Sequence, residues 1–132
     1  VRSPERFDVI VTTNFYGDII SDLASEMSGS LGLAGSMMAS DTHCCAQAQH
    51  GSAPTLAGLD KANPTSMILS VAMLLKWMGE RHGRPQLVSA AQAMEMAVDQ
   101  VLEQPTCRTA DLGGTAGCQA FGEHVAKAVK TA

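Results

Sequence analysis

Aromatic residues are scarce in this chain, with three Phe, one Tyr and one Trp among 132 residues. A core built around stacked rings is excluded, and eight Met with many Ala and Gly must pack small, flexible side chains closely instead. Long apolar runs are lacking as well. Stretches such as Ser66 to Leu75 are broken by Ser and fall far short of the ~20 residues that span a bilayer. The opening residues do not show the basic-then-apolar pattern of a signal sequence, so no membrane partner is expected. There is no excess of positive charge. Nine basic residues face 13 acidic ones, for a formal net charge of −4, and the basic ones are scattered, which argues against nucleic acid as a partner. Cys44, Cys45, Cys107 and Cys118 offer no C-x-x-C spacing. They predict neither a zinc site nor a disulfide framework, but free thiols in a reducing cytoplasm.

What is present reads as an α/β protein of single-domain length. Phe7 to Thr12 (FDVIVT) is rich in β-branched residues and predicts a buried strand entering a helix through a turn at Asn14 and Gly17. From Tyr16 to about Met27 the residues Ile19, Ile20, Leu23 and Met27 recur at helical spacing, with Asp18, Asp22 and Glu26 on another face. The helix ends in the small-residue stretch Ser28 to Gly35; its G-x-x-G-x-x-G spacing follows a helix rather than a strand, so it is not a dinucleotide fingerprint. Two strands are predicted near Leu33 to Ala39 and Cys44 to Gln49, turning at Ser40, Asp41 and Thr42. After a loop from His50, Pro64 can open a helix from Thr65 to about Arg81 that is apolar on most sides. A further helix is predicted over Pro85 to Glu103, with Leu87, Ala91, Met94, Val98, Val101 and Leu102 as its inner face. A last one, capped by Thr115, reaches about Lys130 after the turn Asp111 to Gly114. Three short strands make a poor complete sheet. The expectation is therefore an incomplete sheet whose remaining strands come from elsewhere.

Two blocks, FDVIVTTNFYGDIISDL (Phe7 to Leu23) and HGSAPTLAGLDKANP (His50 to Pro64), supported by DLGGTAG from Asp111 to Gly117, resemble the signatures of the isocitrate/3-isopropylmalate dehydrogenase family, metal-dependent decarboxylating hydroxyacid dehydrogenases. The resemblance runs over essentially the whole chain. It implies the carboxy-terminal portion of a two-domain α/β fold, with residues 1–29 ending the smaller domain and residues 30–132 returning to the cofactor-binding domain. It also implies that about two-thirds of a family member precedes Val1, including the arginines that hold substrate carboxylates and a tyrosine–lysine acid/base pair. An opening without a leader just before a strand fits such a truncation.

The residues themselves carry part of the chemistry. Asp18 and Asp22 lie four apart on one helix, so their carboxylates project from one face, as hard ligands for Mg2+ or Mn2+ would. By spacing alone the plainer reading is a solvated acidic face near a helix N-terminus. The family resemblance implies a metal-ligand pair, completed by an aspartate of a neighbouring subunit at a position preceding this chain. His50, Gly51, Ser52, Ala53 and Pro54 place small residues where a backbone can approach a ligand, although such a loop alone is usually a tight turn. The resemblance makes it the adenosine loop for NAD or NADP, with His50 near the adenosine and Asn63 on the adenine edge.

Two departures from the family pattern matter. Where NAD-using members carry Asp after H-G-S-A-P, this chain has Thr55, with no Lys or Arg in its place, so neither cofactor is favoured. Gln47 stands where many members have Glu. His43, His82 and His124 sit in no motif and are read as surface or loop residues. The expected function is a piece of an oxidoreductase acting on a small 2-hydroxy acid, a homo-oligomer inactive by itself. The alternative is a truncated non-catalytic oligomerising or nucleotide-binding module.

Overall fold

The computed structural model describes residues 2–131. Helix α1 spans Asn14–Met27 and is followed by an antiparallel hairpin of β1 (Gly35–Ala39) and β2 (Cys44–Ala48). Helices α2 (Thr65–Arg81), α3 (Pro85–Glu103) and α4 (Cys118–Val129) complete the order, with short 3-10 turns in the connections. The structure is thus α/β, with one two-stranded sheet among the described residues, Met37 pairing with Ala46 at the centre of the register. Among the described residues no helix is long and apolar enough to cross a membrane.

The predicted strand Phe7 to Thr12 does not form. The segment runs irregularly between a 3-10 turn at Pro4–Arg6 and α1, with Val9 79% and Val11 91% exposed. β-branched residues favour a strand only when a neighbouring strand takes up their backbone groups, and no described segment does so here. Helix α1 begins two residues earlier than periodicity suggests and packs against none of the other helices or strands. Its apolar residues Ile19, Leu23 and Met27 therefore stay exposed.

Helix α2 packs on both strands and on α3, and its fully buried residues are small and mostly polar. Thr65, Ser66, Ser70, Ala72 and Gly79 are its buried residues, while Met67 and Met78 face outward. Ser66 and Ser70 fasten the helix to the hairpin. The Ser70 hydroxyl accepts from the Ser36 N–H at 3.0 Å, and its single proton faces the Gln47 carbonyl at 2.6 Å and the Ser66 carbonyl at 2.7 Å. The Ser66 hydroxyl accepts from the Gln49 N–H at 3.1 Å and donates to the Ala34 carbonyl. Small side chains let the strands come this close, and a buried hydroxyl with both roles filled carries no desolvation penalty.

The hydrophobic core lies further along the chain, between α3 and α4. Ala97, Val98 and Val101 meet Phe121 and Val125, with Ile68, Leu69, Leu102 and Val129 at the margin. Periodicity locates this face of α3 apart from Ala97; Leu87, Met94 and Leu102 are only half-buried. Gly79 sets the corner between α2 and α3, because a Cβ there would sit 2.6 Å from Val88 Cγ2 and 2.9 Å from its backbone nitrogen.

Helix α2 begins at Thr65 as expected, with Pro64 as its N-cap, whereas α4 begins at Cys118 with Gly117 as N-cap, so Thr115 is not its cap. The cap of α4 comes from a distant part of the chain. The Asp60 carbonyl accepts the Cys118 N–H at 3.0 Å and its Oδ1 accepts the Gln119 N–H at 2.8 Å. His43, His82 and His124 are all exposed, as expected.

Phe121 is fully buried. Phe121→Ala should therefore lower unfolding free energy by about 3–5 kcal/mol through lost contact and a residual cavity. Urea unfolding followed by circular dichroism checks this, and an unchanged midpoint would show that α4 does not dock on α3.

Candidate functional site

An open cavity of about 450 Å³ forms where the loop after β2 meets the segment after α1 and the turn before α4. His50, Gly51, Ser52 and Ala53 form one wall. Asn63 and Lys61 also line the cavity, and Leu31, Leu56, Ala57 and Ala62 add apolar surface. A concave, largely apolar pocket with a few convergent polar groups is the usual form of a small-molecule site, and the volume suits one. The structure thus brings together most of the residues singled out in the loop. Thr55 and Pro54 do not line the cavity.

The loop geometry explains its small residues. Nothing in the chain lies within 4 Å of where a Cβ on Gly51 would project, so this backbone faces open space. Ala53 holds a left-handed conformation at φ +41° before the turn Pro54–Leu56. Such a conformation is costly for a residue with a Cβ and recurs at ligand-binding loops.

Asp111, which also lines the cavity, gathers three segments. Its Oδ2 accepts from Ser30 Oγ and from Asn63 Nδ2 at 3.0 Å, and its Oδ1 accepts from Thr109 Oγ1 at 2.5 Å. Asn63, 8% exposed, in turn accepts the Thr65 N–H at 3.0 Å on its Oδ1 and so closes the first turn of α2. Ser30 Oγ also accepts the Gly32 N–H at 3.1 Å. Gly32 must be a glycine for this approach, since a Cβ would lie 2.7 Å from Asn63 Cβ. Partial burial pushes the Asp111 carboxyl up, but hydrogen bonds from Ser30, Thr109 and Asn63 outweigh it and hold the group below the ordinary carboxylate value. Sequence reading placed Asp111 only in a turn and Ser30 only at a boundary. The signal for both was the D-L-G-G block, whose partners lie 81 and 48 residues away along the chain.

Asp18 and Asp22 are exposed on α1, one turn apart, and neither lines the cavity. Their carboxylates could supply two oxygens to a hard cation, yet among the described residues no group of three or more His, Cys, Asp or Glu stands ready to enclose one. Helix α1 is tied to the cavity at its far end, where Gln49 Nε2 donates to Ser25 Oγ at 2.8 Å and Ser30 reaches Asp111. Gln47 is exposed on β2.

Comparison with known proteins places the chain in a family and a fold. The sequence-family model described as isocitrate/isopropylmalate dehydrogenase matches residues 1–125. An isocitrate/homoisocitrate dehydrogenase of Thermus thermophilus is 52% identical over 131 residues, which is 99% of this chain and 37% of that protein. A 3-isopropylmalate dehydrogenase of Saccharolobus solfataricus is 41% identical, over 96% of this chain and 38% of its own length. The crystal structure of isocitrate dehydrogenase from Methylococcus capsulatus superimposes with a TM-score of 0.81 at 40% identity, covering 96% of this chain and 36% of that one. The chain therefore spans little more than a third of the relatives it matches.

Since the folded state holds the Asp111 carboxyl below its unfolded value, its contribution to stability is complete above the unfolded pKa of about 4 and is lost as pH falls through the lower folded value. Asp111→Ala should lower the urea midpoint at pH 7, and the gap to the native chain should narrow below about pH 4. A gap that stays constant into acid would show that the carboxylate charge does not hold Ser30, Asn63 and Thr109 together.

Proposed function

The chain belongs to the isocitrate/isopropylmalate dehydrogenase family, and on that premise we propose that it is a segment of an oxidoreductase that moves hydride from a small 2-hydroxy acid to NAD or NADP, usually with loss of carbon dioxide. The observation that carries this reading is the cavity lined by His50–Ala53 and Asn63, of about 450 Å³ and combining apolar surface with a few polar groups. Gly51 offers an open backbone to a flat ligand, and His50 and Asn63 both line the same cavity. Asn63 is oriented by Asp111 and Thr65, so its amide is fixed before any ligand arrives. In this reading His50 to Thr55 and Asn63 form the cofactor segment, and the cofactor, when bound, accepts the hydride.

Asp18 and Asp22 are read as two ligands of Mg2+ or Mn2+. When bound, the ion steadies the charge on the substrate oxygens. These two residues hold and orient it, and further ligands must come from outside this chain. Residues 1–29 belong in this account to the smaller domain and residues 30–132 to the cofactor domain, in a cytoplasmic protein. The separation of α1 from the other helices and strands supports that division.

A homo-oligomer completes the reading. Phe15 at 68%, Ile19 at 52% and Leu23 at 49% exposure form an apolar face on α1 too large to leave in water. Closed symmetric dimers cover such faces.

Calorimetry tests the site directly. NAD and NADP should each bind this chain, and Ala62→Trp, which fills the cavity, should abolish both signals; Mn2+ should bind weakly and lose all affinity in the Asp18→Ala/Asp22→Ala chain. Cofactor binding unaffected by Ala62→Trp, or metal binding that survives the double change, would remove the corresponding assignment. Light scattering after size exclusion should show a species larger than one chain, reverting to a monomer in Ile19→Lys/Leu23→Lys. A native monomer would sink the oligomer.

A further inference from the structure

Residues 50–62 supply most of the cavity lining, yet the rest of the chain holds them at few points. All of them are exposed, Leu56 and Leu59 included, and the turn Pro54–Leu56 packs against no other helix or strand. Within this arm the Leu56 N–H reaches the Ala53 carbonyl at 2.9 Å, the Ala57 N–H the Pro54 carbonyl at 3.2 Å and the Leu59 N–H the Leu56 carbonyl at 3.1 Å, so the arm is knit to itself. Among the described residues, the hydrogen bonds that tie it to the remainder of the chain all end on one residue, Asp60.

Asp60 holds a left-handed backbone at φ +54°, a conformation that Asp tolerates better than most residues with a Cβ. From there its carbonyl accepts the Cys118 N–H at 3.0 Å and its Oδ1 accepts the Gln119 N–H at 2.8 Å, the first two amides of α4. The N-cap residue of α4, Gly117, has no side chain to serve them, and a Cβ there would overlap the Asp60 carboxylate. A carboxylate is the favoured group at this end of a helix. Dependence therefore runs both ways. Without Asp60 these amides of α4 lose their acceptors, and without α4 nothing offsets the left-handed backbone of Asp60. Asp60, Gly117, Cys118 and Gln119 all stand outside the cavity lining.

We propose that Asp60 is a positioning residue that makes the arm and the first turn of α4 one cooperative unit, so that the placement of the arm at the cavity and the order of the start of α4 are gained and lost together. A ligand that holds the arm then steadies α4 without touching it, and the effect is reciprocal. The ligand half rests on the nucleotide reading of the cavity; the cooperative unit does not.

Hydrogen exchange at single amides, read by NMR on this chain, decides it. Asp60→Gly accepts the left-handed backbone and removes the carboxylate. In the unliganded chain it should speed exchange about five- to tenfold at Gln119 and equally at Ala57 and Leu59, and leave Val98 in the core unchanged. Asp60→Asn should stay near native, since an amide oxygen still caps and Asn tolerates the conformation. Gly117→Ala, which crowds Asp60 from the side of α4, should reproduce the Asp60→Gly pattern, and it carries the comparison if Asp60→Gly does not fold. Faster exchange confined to Cys118 and Gln119 would reduce Asp60 to an ordinary helix cap and overturn the proposal. Unchanged exchange at Gln119 would overturn it as well. With 5′-AMP as probe, saturation should slow exchange at Gln119 in the native chain but not in Asp60→Gly, while Leu59 is slowed in both. Binding of 5′-AMP that leaves Gln119 of the native chain unaffected would overturn the proposal and leave the nucleotide reading standing. If 5′-AMP does not bind the folded native chain, the nucleotide reading falls and the unliganded comparison alone decides the proposal.

Discussion

The attachment of α2 to the hairpin through Ser66 and Ser70 is the interaction on which the rest of the arrangement depends. The two hydroxyls reach Ala34, Ser36, Gln47 and Gln49, taking in the start of β1 and the end of β2. An apolar contact of equal area would hold the helix against the strands without fixing where along them it sits. Hydrogen bonds with defined donors and acceptors set that register, because a shift of one residue would strand buried polar groups. The loop at His50 starts directly after Gln49, so its starting point is set by the same bond.

A second polar centre, Asp111, carries this fixation across the cavity. It receives donors from the segment after α1, from the residue before Pro64, and from its own turn. Three pieces of chain far apart in sequence thus share one carboxylate. The apolar core between α3 and α4 supplies cohesion behind them, whereas the geometry of the cavity is set by hydroxyls, one amide and one carboxylate. This division suits a site, since hydrogen bonds are directional and hydrophobic contact is not.

Much of this was legible in the residues. The limits of α2 and α3, the two hairpin strands and the turn between them follow from Pro64, Pro85, the helical spacing and the Ser40 to Thr42 cluster, all of them local signals. The loop His50 to Ala53 and Asn63 were recognised by their pattern, and the fold does gather them around one cavity. Three features escaped for one reason, which is that they depend on partners distant in sequence. Phe7 to Thr12 has strand-forming residues but no neighbouring strand among the described residues. Thr115 looks like a cap, but the first free amides of α4 are taken by Asp60 from another loop. Lys61 sits six places beyond Thr55 in a stretch without helix or strand, and only the folded loop brings it to the rim.

The position of the core also bears on how the molecule is assembled in time. Every residue of the apolar cluster lies between Ile68 and Val129, with α2 and α3 joined by a short connection and α3 and α4 by a longer one. Contacts between chain neighbours close small loops and form early, whereas pairings across long separations wait for the entropy of closure to be overcome. Helices α2 and α3 can therefore come together first and give α4 a surface to settle on. The bond between Ser30 and Asp111 closes a loop of 81 residues and belongs at the end of the sequence of events. The cavity-lining part of the molecule is in this sense its youngest part at every refolding, and the first to be released when the chain begins to open.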